Sequence, residues 1–177
     1  MQCIVLLRGI NVGGRTIKMA ELKSFFEKNG YQKVLTILQT GNVIMEAEEK
    51  NAAKLQKKIE QELRSTFNYP ASVLIITPKQ LQNVVAQYPF TTYGPEFHRY
   101  VYFTEKGAEK DILKNCGILD DSIEAVSAGE NVIYWRVLKG STLDSTFGKY
   151  TAKAAKKYFL TNRNSNTLEK ILAKCDL

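Results

Sequence analysis

Residues 34–46 read VLTILQTGNVIME, and the folding of this stretch decides the architecture. Val34–Gln39 and Asn42–Glu46 are two β-rich runs broken only at Thr40-Gly41. A short glycine turn between two such runs is a hairpin signal, so the two strands are antiparallel neighbours. A parallel pair would need a long, usually helical, crossover at this point. The class is therefore α+β.

Outward from the hairpin, the rest of a repeating unit falls into place. Gln2–Leu7 (QCIVLL) is a continuous apolar run, the pattern of a strand covered on both faces. Met19, Leu22, Phe25 and Phe26 recur at helical spacing, and Asn29-Gly30 ends that helix with residues tolerant of positive φ. Ala52, Leu55, Ile59 and Leu63 make a second amphipathic helix, closed before Tyr69-Pro70, and Ser72–Ile76 is a further apolar strand. The order is βαββαβ. Thr77-Pro78-Lys79-Gln80 then opens a helix with a capping box, followed by Leu81, Val84, Val85 and Tyr88.

Residues 89–96 (PFTTYGPE) read as a linker, after which the order restarts. Tyr100–Thr104 is a strand and Ala108–Cys116 a helix. Ile123–Val126 and Val132–Val137 form a hairpin turned at Ala128-Gly129-Glu130, and Ser145–Tyr158 forms a helix. Phe159–Thr161 starts a short strand, and Leu168, Ile171, Leu172 and Cys175 mark a closing helix. Asn42-Val43-Ile44 recurs as Asn131-Val132-Ile133. The expectation is two tandem ferredoxin-like βαββαβ lobes related by duplication, residues 1–88 and 89–177, each followed by a helix and packed into one compact unit. Strands apolar on both faces imply that the lobes cover each other. On that ground Tyr100, Tyr102, Tyr134 and Trp135 are read as packing residues rather than base-stacking platforms.

Residues 8–16, RGINVGGRT, come within one substitution of a P-loop, with Arg15 in the lysine position. Two absences argue against nucleotide hydrolysis. No acid in Val34–Gln39 can bind magnesium, and the chain returns through a hairpin rather than a parallel crossover. A weaker reading survives, in which Arg8, Gly9, Asn11, Gly13, Gly14, Arg15 and Lys18 form an anion-binding nest between a strand end and a helix start. A wide turn with glycines at special backbone angles is the alternative. The matching point of the second lobe has only Thr104-Glu105-Lys106-Gly107, so a connection that merely turns the chain can be far shorter.

LLRGINVGG, then Met19-Ala20-Glu21-Leu22, then QTGNVIM, then TNRNSNT occur in that order. Together they resemble the bacterial family catalogued as domain of unknown function 1697, over nearly the whole chain. The resemblance implies a pair of related ferredoxin-like lobes and no established reaction. The family pattern ends Arg-Asn-Trp-Asn-Thr, whereas here Ser165 stands in the tryptophan position between Arg163-Asn164 and Asn166-Thr167.

Asn166 or Thr167 is a natural N-cap for the last helix, which leaves Arg163 and Asn164 to be explained. With the lobes related by an approximate dyad, Arg8, Asn11, Asn42, Arg163 and Asn164 would share one cleft. Lys149, Lys153, Lys156 and Lys157 cover about a third of a helix circumference, either as a solvated face or as a track for phosphates.

The chain has 177 residues and a formal charge of +7, a balance that favours acidic partners. Cys3, Cys116 and Cys175 are odd in number and widely spaced, so they are expected as buried thiols in a reducing, cytoplasmic setting. His98 is the only histidine. No metal site, catalytic constellation or cofactor is identifiable, and no stretch reaches transmembrane length. The leading expectation is a non-catalytic module binding a phosphorylated small molecule or nucleic acid. The alternatives are a small enzyme on a phosphorylated metabolite, with Asp120, Asp121 and Asp144 as available acids, or a structural or interaction module, including a homodimer.

Overall fold

A computed structural model describes residues 1–10, 16–68 and 70–176. The chain divides into two compact units, one of residues 1–82 with 169–177 and one of residues 83–168. Each contains a four-stranded antiparallel sheet, and six helices occur among the described residues.

In the first unit the strands are β1 (Gln2–Arg8), β2 (Gln32–Ile37), β3 (Asn42–Glu46) and β4 (Ser72–Ile76), in the spatial order β2-β3-β1-β4. Helices α1 (Met19–Lys28) and α2 (Ala52–Phe67) pack on one face of this sheet. Leu22, Phe25 and Phe26 of α1 and Leu55, Ile59 and Leu63 of α2 meet Cys3, Val5, Leu7, Val43 and Met45. These spacings place each set on one stripe of its helix. Ile4, Leu6 and Ile44, which point to the other face, are also buried, as expected for strands apolar on both sides. The ends of α2 follow from its asparagines: Asn51 Oδ1 accepts from the Lys54 N–H, and Asn68 closes the helix at φ 49°. Thr77 and Gln80 form the reciprocal capping box at the start of α3 (Pro78–Ala86).

The hairpin is present, but β2 lies two residues earlier than its apolar pattern suggests. Lys33 adopts φ 50° and the pairing register with β3 shifts between Gln32 and Leu35. A bulge lets the strand begin on polar residues that periodicity does not count.

The second unit has β5 (Phe97–Thr104), β6 (Glu124–Gly129), β7 (Val132–Leu138) and β8 (Leu160–Asn164), ordered β6-β7-β5-β8. Helices α4 (Ala108–Asn115) and α5 (Thr146–Ala154) sit on the face carrying Tyr102, Ile133, Trp135 and Val137. The aromatic residues are packing residues, with Trp135 and Phe147 fully buried and Tyr100 and Tyr102 stacked around the indole. Glu124 ties this core together: its carboxylate accepts from Trp135 Nε1 at 3.0 Å and from the Phe147 N–H at 2.9 Å.

Four sequence expectations are corrected here. The hairpin turns at Glu130-Asn131, with Asn131 at φ 58°, while Gly129 stays inside the ladder opposite Val132. Helix α5 stops at Ala154, so Lys156 and Lys157 lie in the turns that follow. The last strand runs on through Arg163 and Asn164, because β5 supplies backbone partners for polar residues as readily as for apolar ones. Finally, α6 (Ser165–Leu172) starts earlier than predicted, and Asn164 Oδ1 accepts from the Asn166 N–H, so Asn164 closes its first turn.

Candidate functional site

In the first unit β1 leaves the sheet through Arg8, which pairs with Ser72 of β4, and Gly9, at φ 70°. A Cβ on Gly9 would meet nothing within 4 Å, so glycine is needed there for its backbone angle alone. Ile10 and Ile17 are both buried in the core and anchor the two ends of the connection to α1. Asn11, Gly13, Gly14 and Arg15 lie outside the described residues. Lys18 is exposed at the N-cap of α1, in extended conformation.

The β2–β3 turn leans on this exit. Gly41 O accepts the Leu7 N–H at 2.8 Å, and Gly41, at φ 72°, leaves just enough room for Ile10 and Leu7. Ile10 and the QTGN turn, remote in sequence, are thus neighbours in space. Asn42 is fully buried and turned toward the hairpin: its Nδ2 donates to Ile37 O at 2.9 Å and Thr40 Oγ1 at 2.8 Å.

The second unit has the same exit in reduced form. Gly107, at φ 81°, leads straight into α4 at Ala108, and its N–H is taken by Asn131 Oδ1 from the hairpin tip. Arg163 and Asn164 belong to this unit. Arg163 is buried, its Nη1 donating to Thr161 Oγ1 at 2.9 Å and to Asn162 O at 2.7 Å, and burial lowers its pKa to about 10. It therefore carries its charge at neutral pH in a poorly solvated position.

The family described as Protein of unknown function (DUF1697) matches residues 1–134. The chain belongs to this family. No curated protein shows significant similarity to it. Among solved structures, the conserved bacterial protein SP0830 from Streptococcus pneumoniae is similar, at 23% identity and a TM-score of 0.78 over 97% of each chain. That likeness concerns the fold.

Within this family member, residues that no sequence motif marks carry unusual environments. Arg136 of β7 is buried, with its guanidinium 3.7 Å from the Tyr93 ring centroid and 4.4 Å from that of Phe97. Its Nη2 donates to Asp121 O at 2.8 Å, and Nε has no partner among the described residues. Arg99 stands directly opposite Arg136 in the β5–β7 ladder, and Arg163 opposite Val101 puts a third arginine on the same sheet face. The presumed linker is thus a strap of aromatic residues, with Tyr88, Phe90, Tyr93 and Phe97 in edge contact. His98, next to Arg99 near the start of β5, lies on the other face of the sheet, where its ring centroid is 5.7 Å from that of Tyr100. Only the lone histidine could have drawn attention to this place; the burial of Arg136 depends on strand pairing that no local pattern reveals.

Lys149, Lys153, Lys156 and Lys157 are all exposed, and Lys157 pairs with Asp111 at 3.4 Å. Among the described residues there is no group of three His, Cys, Asp or Glu side chains that could hold a metal ion. No helix is long and apolar enough to cross a membrane. Cys3 and Cys116 are buried and Cys175 is partly exposed, and burial pushes the Cys3 thiol up to about 11. Thiolate is the reactive form, so an aromatic disulfide reagent at pH 8 is expected to modify Cys175 first, with Cys3 reacting only on unfolding. Time-resolved peptide mapping of the labelled protein checks this order.

Proposed function

We propose that the protein is a non-catalytic binding module for phosphate-bearing ligands, small molecules or nucleic acid, and that residues 8–18 form its grip. One observation carries this reading. Two topologically equivalent strand-to-helix connections each contain a glycine at positive φ, yet the first runs through residues 9–18 before its helix and the second only through residues 105–107. The short connection suffices to turn the chain, so the longer one, with Arg8, Arg15 and Lys18 and its glycines, has another use. In the second unit Asn131 engages the exit amide, and in the first Asn42 Nδ2 donates within its own hairpin beside the exit. Asn42 belongs to the same proposed grip. The exposed lysines at 149, 153, 156 and 157 add to the net positive charge that favours a polyanion.

The scaffold behind this reading is a duplicated ferredoxin-like fold with lobes 1–88 and 89–177. Both sheets share one strand order, and β1 pairs with β3 and β4 as β5 pairs with β7 and β8. Each fourth strand is followed by a helix, and the division between compact units falls within each of those two helices. Duplication explains why two equivalent connections exist to be compared, and specialisation of one copy explains why they differ.

The test is pyrophosphate and a single-stranded RNA titrated into wild type and an Arg8→Ala/Arg15→Ala double variant. The variant is expected to bind both probes at least about tenfold more weakly at low salt, with the log–log salt slope for RNA shallower by about 1.4. Unchanged affinity for both probes removes the loop from the account.

A further inference from the structure

We propose that the free edge of β6 in the second unit is a docking site for an extended segment of another protein, which pairs as an additional strand and carries basic residues at its ends. Each sheet has two outer strands, β2 and β4 in the first unit and β6 and β8 in the second. An outer strand presents a row of unpaired N–H and C=O groups, and proteins blunt such edges unless they use them. The direction of these groups follows from register. Leu138 N–H donates to Ile123 O and Lys139 N–H to Glu96 O, so even-numbered residues of β7 bond to β6 and odd-numbered ones to β5. In an antiparallel ladder the N–H and C=O of one residue point the same way. Ala125, Ser127 and Gly129 therefore bond inward to β7, while Val126 and Ala128 turn both backbone groups outward.

The other three outer strands are blunted by their own side chains or geometry. In β2, Lys33 at φ 50° and the register shift beside it interrupt the edge, and the Lys33 ammonium folds onto Glu46 at 2.7 Å. In β4 the outward N–H of Val73 is taken by Glu60 Oε1 at 2.9 Å. In β8 the outward carbonyl of Asn162 accepts from Arg163 Nη1 at 2.7 Å. Strand β6 has none of these devices. Its ladder to β7 runs without a break from Glu124 to Gly129, and it contains no proline and no basic residue. Its one acid, Glu124, is turned into the core. The outward groups of Val126 and Ala128 have no hydrogen-bond partner among the described residues. Ala125, Ser127 and Ala128 are small, so a second backbone can approach to ladder distance.

Charge selects the occupant. Residues 115–135 contain no lysine or arginine, although the whole chain carries a formal charge of +7. The exposed acids Asp120 and Asp121 precede β6, and exposed Glu130 follows it. A strand laid against β6 thus meets acid at both of its ends, which favours lysine or arginine there and disfavours acidic flanks. The same charges disfavour a second copy of this chain as the occupant. Antiparallel pairing of two β6 edges would bring Glu130 of one copy toward the Asp120-Asp121 end of the other. In such strand addition the backbone hydrogen bonds supply affinity, and alternate side chains and flanking charges supply specificity. The edge lies within the second unit and does not depend on residues 8–18.

The probes are two end-capped peptides, Lys-Thr-Val-Thr-Val-Thr-Lys and the same sequence with glutamate in place of both lysines. Full-length protein is titrated with each at low salt while its backbone amide signals are followed by NMR. The lysine peptide is expected to bind saturably, with the largest shifts at Val126 and Ala128, and the glutamate peptide at least about tenfold more weakly. Val126→Pro removes an outward N–H without touching the bonds to β7, and is expected to weaken the lysine peptide at least about tenfold. Glu130→Lys, in an exposed turn, keeps the backbone edge intact and is expected to weaken the same peptide several-fold. The fluorescence spectrum of Trp135 confirms that each variant folds. The Arg8→Ala/Arg15→Ala variant is expected to leave peptide binding unchanged, which separates failure of this edge from failure of the loop. Equal affinity for the two peptides, or wild-type affinity in either β6 variant, would overturn the proposal. So would shifts at Val126 and Ala128 that grow with protein concentration alone, since they would make a second copy the occupant.

Discussion

Glu124→Ala is expected to destabilise the second unit by about 3–5 kcal/mol, because it leaves two buried donors without acceptors. Glu124 is 1% exposed and each of its oxygens has its own donor, the indole N–H of Trp135 and the backbone N–H of Phe147. The second of these lies in the first turn of α5, where a helix leaves N–H groups unsatisfied. The first holds a fully buried ring against Tyr100, Tyr102 and Phe147. Removing the carboxylate therefore costs the desolvation of both donors and opens a cavity beside the indole. Glu124→Gln retains one acceptor and is expected to cost about half as much. Urea denaturation followed by the fluorescence of the single tryptophan measures both variants. In a Trp135→Phe background, followed by circular dichroism, the Glu124→Ala loss should shrink by at least about 1 kcal/mol, since one donor is already gone. A loss below about 1 kcal/mol in the wild-type background would mean that water reaches these donors and that Glu124 does not organise the core.

Glu124 also illustrates what the sequence conveys and what it withholds. Elements bounded by strong local signals were legible: β3 begins right after Gly41, β4 just past Pro70, and α1 ends at Asn29-Gly30. These boundaries rest on backbone angles that few residues tolerate, so they are written locally. Elements defined by partners were not. The polar end of β8 exists because β5 pairs with it, and the offset of β2 follows from a bulge at Lys33. The exit loop was legible as an elaboration, because Gly107 provides its short counterpart within the same chain. The bare edge of β6 was not, since strand register decides which of its amides face outward. Capping alone does not require Arg163 and Asn164 in the TNRNSNT stretch. The fold gives each a local task, Arg163 within β8 and Asn164 at the start of α6.

The second large effect expected is at the hairpin tip, where Gly41→Ala should cost about 2–4 kcal/mol against about 1 kcal/mol for Gly9→Ala. Both glycines have positive φ, 72° and 70°, so the backbone term of about 1–2 kcal/mol is common to them. They differ in surroundings. A Cβ on Gly9 meets nothing within 4 Å, whereas one on Gly41 would sit 2.9 Å from Leu7 Cβ and closer still to the Ile10 side chain. Leu7 is held in β1 and cannot yield, and Ile10 is buried, so the clash must displace the turn or the start of the loop. Urea denaturation of the two single variants gives the comparison. Trimming the obstacle provides the internal check: in an Ile10→Ala background the Gly41→Ala cost should fall by at least about 1 kcal/mol, because the shortened side chain clears the new methyl group. Equal losses in Gly41→Ala and Gly9→Ala would show that Ile10 does not rest on the turn. The comparison bears on function as well as stability. Ile10 is the last described residue before positions 11–15, so whatever fixes it to the hairpin also sets where the glycine-rich segment begins. If Gly41 positions that segment, Gly41→Ala should weaken pyrophosphate binding at the loop.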